Sequence, residues 1–293
     1  MTKVWRATIF HWWEVKAVSR LVNAGFARMM KNKVLLICLE ILCFTNGISV
    51  SINHVMNWNT DTPDSFLFSG LILISIMSAV FVSSFLGAEH SSGTIRNKLI
   101  IGHGRLSVYC SSFLLCLTGV MMMFAIVWIL TTILGNLLFG GFEHSSQEIC
   151  QLLLRSFLVL TALTAFYTAI VLCIHSKSKS SVAAVISAFV MVLASVAVIQ
   201  MLSEPEYYRE DEIVLTDDVT YKPSETDPSL YINPYYISGN ERKIYQAVHD
   251  MLPVSQMLDE AGAGTAKAVL IPITEIAVLL TAGAYIFGKR DLK

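Results

Sequence analysis

The sequence predicts an all-α membrane protein with six transmembrane helices. An N-terminal interfacial helix precedes them, a short cytoplasmic helix joins the second and third, and a large outer loop containing short helices stands before the last span. Three observations carry this expectation. Of 293 residues, 54% are hydrophobic and 15% charged, against roughly 45–50% and 25% in soluble domains. Six stretches are apolar over the roughly 20 residues that a bilayer crossing needs. Basic residues cluster in alternate connections, as topology requires. The same composition excludes a disordered chain, a soluble enzyme and a nucleic-acid binder. A net charge of −1 leaves no basic surface for a polyanion.

Residues 1–33 form the cytoplasmic interfacial segment. Trp5, Ile9, Trp12 and Trp13 make one apolar stripe at helical spacing, and Val18, Leu21, Val22, Gly25, Phe26 and Met29 make another on a different face. Basic residues are interleaved, which suits one or two helices lying among lipid headgroups. The segment does not read as a cleavable signal peptide, because no small-residue cleavage site follows a short apolar core. Residues 34–202 hold the first five spans: Val34–Ile52, Phe66–Gly87, Val108–Leu138, Ile149–Ile174 and Val182–Leu202. The third is longer than one crossing requires, so it tilts or projects past the lipid. Residues 266–293 hold the last span, Ala266–Phe287, and a cytoplasmic tail.

Charge sets the expected orientation. Lys3, Arg6, Lys16, Arg20, Arg28, Lys31 and Lys33 precede the first span; Arg96, Lys98 and Arg105 follow the second; Lys177 and Lys179 follow the fourth; Lys289, Arg290 and Lys293 follow the sixth. Together they are fifteen of the 21 lysines and arginines, while the connections 53–65 and 139–148 hold none. Both termini are therefore expected in the cytoplasm. The long connection 203–265 is then extracellular. It carries thirteen acidic residues against Arg209, Lys222, Arg242 and Lys243. Its first part, Glu204 to Pro228, reads as irregular or short extended structure. From about Glu241 to Glu260, Ile244, Val248, Met251, Leu252 and Leu258 have helical spacing that Pro253 interrupts. Two short helices, on or dipping into the outer leaflet, are expected.

Cys38, Cys43, Cys110, Cys116, Cys150 and Cys173 lie in or at the edge of apolar runs, with no CxxC pair. They read as small buried hydrophobes, not as disulfides or metal ligands. Four polar residues inside the spans are candidates for a translocation path: Glu40, Asn46, Arg155 and Glu275. Charges in a bilayer are costly and are functional hypotheses by default. Arg155 and Glu275 would satisfy each other if paired; the alternatives are an Arg155 that reaches the outer headgroups and a protonated Glu275. The opposing reading makes these residues interhelical hydrogen bonds that hold the bundle together.

The most informative stretch runs from Glu89 to Arg105. Ser91 or Ser92 can cap a helix from Gly93 or Thr94 towards Ile101, and Gly102 can end it. Ile95 and Leu99, with Ile101 beside them, give an apolar ridge, and Arg96 and Lys98 a charged flank. Such a helix can dock a soluble partner, or be a solvated loop whose charge only fixes topology. The run Glu89, Gly93, Thr94, Ile95, Asn97, Lys98, Leu99, Gly102, Arg105, Tyr109 resembles the signature of permease subunits of type-two ABC exporters, which reads E-x-x-x-G-T-[IL]-x-N-K-L-x-x-G-x-x-R-x-x-x-Y. A weaker resemblance is Leu252-Pro253-Val254-Ser255-Gln256, similar to a Leu-Pro-x-x-Gln turn before the last span of related permeases. The architecture matches over nearly the whole chain.

That resemblance implies a mechanism. Residues 89–105 would be the coupling helix and its flanks, seated in a groove of a separate cytoplasmic ABC ATPase subunit. Glu89, Gly93, Thr94, Ile95, Arg96, Asn97, Lys98, Leu99, Gly102 and Arg105 would carry the coupling. A second permease subunit, identical or related, would complete the transporter in a bacterial plasma membrane. The chain has no G-x-x-x-x-G-K-[ST] phosphate loop, so ATP and Mg would sit on the partner and the chain would be no enzyme by itself. The implied cargo is an amphipathic peptide or drug-like molecule, moved outward. Two other readings compete. A membrane-embedded enzyme lacks support, since the chain has neither His-Glu-x-x-His nor Gly-x-Ser-x-Gly. A sensor or immunity protein would bind an antimicrobial peptide through the acidic loop without transport.

Overall fold

A computed structural model describes residues 18–56, 63–139, 146–174, 177–209, 222–223, 230–258 and 266–289. The Trp5–Trp13 stripe and most of the acidic part of the long loop fall outside these residues. The chain is helical over residues 18–30 (α1). Then follow α2 (Lys33–Met56), α3 (Pro63–Ser91), the short α4 (Thr94–Ile100), α5 (Arg105–Leu138), α6 (Ser146–Cys173) and α7 (Lys177–Ser203). After three brief strands come α8 (Gly239–Met251), α9 (Pro253–Leu258) and α10 (Lys267–Lys289). Six helices are long and apolar enough to cross a bilayer: Lys33–Val55, Gly70–Ser91, Arg105–Leu138, Gln147–Cys173, Ser178–Ser203 and Lys267–Lys289. The protein is thus an all-α membrane protein.

α3 is the hub, packed on α2, α5, α6 and α7, while α10 rests mainly on α6. Lipid tails are as apolar as these side chains, so close fit and not water exclusion holds such helices together. Small residues permit that fit. Gly119 of α5 lets the Phe81 ring of α3 lie directly on its backbone; a Cβ there would overlap the ring. Several buried hydroxyls are satisfied within their own helices: Ser75, Ser78 and Ser83 donate to carbonyls three residues back, and Thr161 and Thr164 to those four back. Such back-bonds let polar residues sit in a greasy core without an orphaned group.

The bundle has two distinct ends. At one, α1, α4 and the last turn of α10 gather. At the other, strands β1 (Tyr207–Arg209), β2 (Lys222–Pro223) and β3 (Leu230–Ile232) form an antiparallel sheet in the order β1-β3-β2. It is fastened where α7 ends: Glu204 Oε2 accepts from the Tyr208 hydroxyl at 2.6 Å and Asn233 Nδ2 at 3.0 Å. These two hydrogen bonds hold the Glu204 carboxyl below the usual carboxylate range. Pro253 has no N–H to continue α8, so the chain turns extended at Leu252 before α9 begins. α9 is set among α6, α7 and α3, with Val254, Ser255, Gln256 and Met257 all buried.

All six cysteines are free, but only Cys38 and Cys116 are buried; Cys150 is exposed in the first turns of α6. The expectation of six buried cysteines is corrected there. A cysteine at the edge of an apolar run takes the exposure of the helix end.

Candidate functional site

The signature run folds as one junction at the α4 end. Glu89 lies in the last turn of α3. Gly93, with φ of 68°, then caps α4, and Gly102, with φ of 100°, follows it. Both positions need the left-handed backbone that glycine adopts without strain. The Gly93 N–H donates to the His90 carbonyl and that of Gly102 to Leu99, closing the ends of α3 and α4. Neither Ser91 nor Ser92 caps α4 by a side-chain bond; the Ser92 hydroxyl stands 2.7 Å from that of Thr94 instead.

The Glu89 carboxylate is 1% exposed. Lys98 Nζ of α4 donates to its Oε1 at 3.2 Å and its Oε2 at 3.1 Å. The Arg28 guanidinium of α1 pairs with Oε1 and also lies over the Phe85 ring of α3, 5.4 Å from its centre. One buried anion therefore ties three helices together. Burial, and then the charge of Arg28, pull the Lys98 ammonium down to about 8. An isolated buried carboxylate would be too costly to keep ionised; two cations make this one tolerable.

That clasp decides which face of α4 looks out. Ile95 is buried and Leu99 packs against the core, so these two residues of the expected apolar ridge point inward, Ile101 does not join them, and Lys98 is no solvated flank. Arg96 and Asn97 are exposed, and so are Ile100 at 71% and Ile101 at 77%. The junction also reaches the last span. Arg105 Nη1 donates to the Gly288 carbonyl in the last turn of α10 at 2.7 Å, where a helix leaves its carbonyls unpaired. Tyr109, one turn further along α5, is buried against Phe287, and its hydroxyl rests on Gly283.

The four candidates inside the spans do not converge. Glu40 is exposed on α2 beside a groove lined by Ile41, Cys43 and Phe44. Asn46 is buried, and its Oδ1 accepts from the Thr131 hydroxyl of α5 at 3.2 Å. Arg155 is buried on α6. Glu275 does not form an ion pair with it: the Glu275 Oε1 accepts from Gln256 Nε2 of α9 at 3.0 Å. Sequence reasoning missed Arg28 and Gln256 as partners. Arg28 was one charge among seven near the N-terminus, and only the approach of α1 to the end of α3 singles it out. Gln256 did carry a signal, the Leu-Pro-x-x-Gln turn, but nothing in the sequence aims it at Glu275.

A model of the family described as ABC-2 family transporter protein matches residues 21–195. That span includes Arg28, Glu89, α4 and Tyr109 and ends before α8. The bacitracin transport permease protein BCRB of Bacillus licheniformis is 27% identical over 135 residues, covering 46% of this chain. The match spans 64% of that protein's length, under two thirds. Six apolar helices, a signature run folded into a single charged junction and a family match over more than half the chain lead to one conclusion: the chain belongs to the ABC-2 family of transporter membrane proteins.

Proposed function

We propose that this chain is the membrane-spanning subunit of an ATP-driven exporter, and that α4 is the helix a separate ATPase subunit pushes. The observation that carries the reading is the exposed pair Ile100 and Ile101. They project from a seven-residue helix whose opposite face is pinned by Glu89. Two adjacent apolar side chains standing free on the outward side of a short helix suit insertion into a partner's groove. A push on them reaches α3 through Lys98 and Glu89, α1 through Arg28, and α10 through Arg105. In this reading the α4 end and both termini are cytoplasmic, as the basic connections favour, and residues 203–265 are extracellular. ATP and Mg would be held by the partner, and a second permease subunit would complete the translocator. The relative named for bacitracin transport supports an amphipathic antimicrobial peptide as cargo, moved out of the cell or its membrane.

The test is to solubilise the chain from its host membrane, isolate what accompanies it, and compare wild type with Ile100→Asp and Ile101→Asp. Substitutions at exposed positions leave stability within about 0.5 kcal/mol, so the spans stay folded. The expected result is a stoichiometric ATP-binding partner whose association falls at least roughly ten-fold, about 1.4 kcal/mol, in each variant. Unchanged association in both would remove α4 as the docking element. A chain isolated without such a partner would turn the reading towards a peptide-binding sensor.

A further inference from the structure

Glu275 lies eight residues into α10, about 12 Å from its start, inside an apolar span. Gln256 Nε2 donates both to its Oε1, at 3.0 Å, and to the Asp250 carbonyl at 2.7 Å. Both partners are acceptors. That sets the orientation of the amide, since a flipped Gln256 would point its oxygen at two oxygens. Two atoms are then left over: Gln256 Oε1 and Glu275 Oε2. Each is buried with no donor among the described residues. They are the second oxygens of the carboxyl and the carboxamide that the first hydrogen bond already joins. A single hydrogen shared between them would satisfy both.

Energetics favour that hydrogen over a charge. A buried acceptor left unmade costs about 1–3 kcal/mol, and an ionised carboxylate away from water costs far more without a cation. Among the described residues no cation forms an ion pair with Glu275. The charged side chains on the packed elements α6, α8 and α10 are Glu148 and Arg155, then Glu241, Arg242, Lys243, His249 and Asp250, then Lys267 and Lys289; the other titratable ones are Cys150, Tyr167 and Cys173 of α6, Tyr245 of α8 and Tyr285 of α10. Arg242 is turned to the Leu202 carbonyl, at 3.1 Å. His249 is already turned to Asp250, at 3.5 Å. The described side chains in the halves of α3, α5 and α7 nearest α9 carry no charge. Both leftover oxygens are closed to solvent, which excludes an ammonium group or hydrated ion but not a proton.

We propose that Glu275 is a membrane-embedded proton-binding site: Oε2 takes a proton from water and donates it to Gln256 Oε1, closing a two-hydrogen-bond acid–amide ring between α10 and α9. Loss of that proton returns it to water and leaves an anion facing an amide oxygen. The ring opens and α9 loses half its polar hold on α10. This site does not depend on the chain being a permease.

The experiment is infrared difference spectroscopy of the full chain in lipid vesicles, titrated across pH, with Glu275→Gln and Gln256→Leu. Wild type is expected to show, at pH 7, the carbonyl band of a protonated, hydrogen-bonded carboxylic acid that shifts in heavy water. The band is expected to vanish in Glu275→Gln, an isosteric amide that keeps both hydrogen bonds and hence the fold. In Gln256→Leu it is expected to move to higher frequency, because the acid has lost its acceptor. Absence of the band at pH 7 in wild type, its persistence in Glu275→Gln, or an unmoved band in Gln256→Leu would each overturn the proposal. The readout needs no transport, so a chain that moves no peptide still answers it.

Discussion

The two ends of the bundle hold a carboxylate in opposite ways. At the α4 end Glu89 is nearly sealed and receives two cations from two other helices. At the α9 end Glu275 receives one neutral amide. A buried anion with two cations is a fixed joint, because removing a cation leaves the sealed Glu89 carboxylate short of charge and removing Glu89 strands the largely buried Lys98. A carboxyl matched to an amide is a contact that one proton can make or break. The difference places rigidity at the α4 end and adjustability at the α9 end.

The largest expected effect comes from making the same change at both ends. Glu89→Gln should destabilise by about 3–5 kcal/mol, the range for breaking a buried pair; the lower figure is the better guide because Arg28 is 44% exposed and keeps part of its hydration. Glu275→Gln should change stability by less than about 1 kcal/mol. Thermal unfolding in detergent measures both, and equal losses would erase the contrast. A smaller effect tests the link from the clasp to the last span. In Gly283→Ala the new methyl would overlap the Tyr109 hydroxyl and press on Ala169, costing about 1–3 kcal/mol. Tyr109→Phe in that background should restore part of the loss, since that hydroxyl makes no hydrogen bond among the described residues. No recovery would place the strain elsewhere.

A further effect is one of pH. In the folded chain Lys98 loses its proton near 8, against about 10.4 when unfolded. Between those values the unfolded chain binds more protons, so this group makes stability rise with pH across that window. The unfolding midpoint of wild type relative to Lys98→Met should therefore climb from pH 8 to pH 10. A flat or falling difference would mean that Lys98 keeps its proton through the whole range in the folded chain.

The six spans were legible because a bilayer demands about 20 apolar residues and nothing else in a soluble chain imitates that. The junction was legible in part. Gly93 and Gly102 announce turns by residue type alone, and the helix between them follows. Which face of α4 turns inward was not, because that depends on Glu89 capturing Lys98 nine residues away while Arg28 arrives from another helix. The inner-span candidates show the same limit. Glu275 stood out by its charge, whereas its partner is a glutamine in a short helix whose burial no periodicity reveals.

α5 has a mechanical consequence. At 34 residues it is a continuous rod about 51 Å long, tied at Arg105 to the last turn of α10 and borne on Phe81 of α3 at Gly119. Gly119 stands 14 residues from Arg105 and 19 from Leu138, which gives arms of about 21 and 28 Å. A rod pivoted there is a lever with unequal arms. Were it to rock there, a sideways step of about 1 Å at Arg105 would emerge as about 1.4 Å in the opposite direction at Leu138.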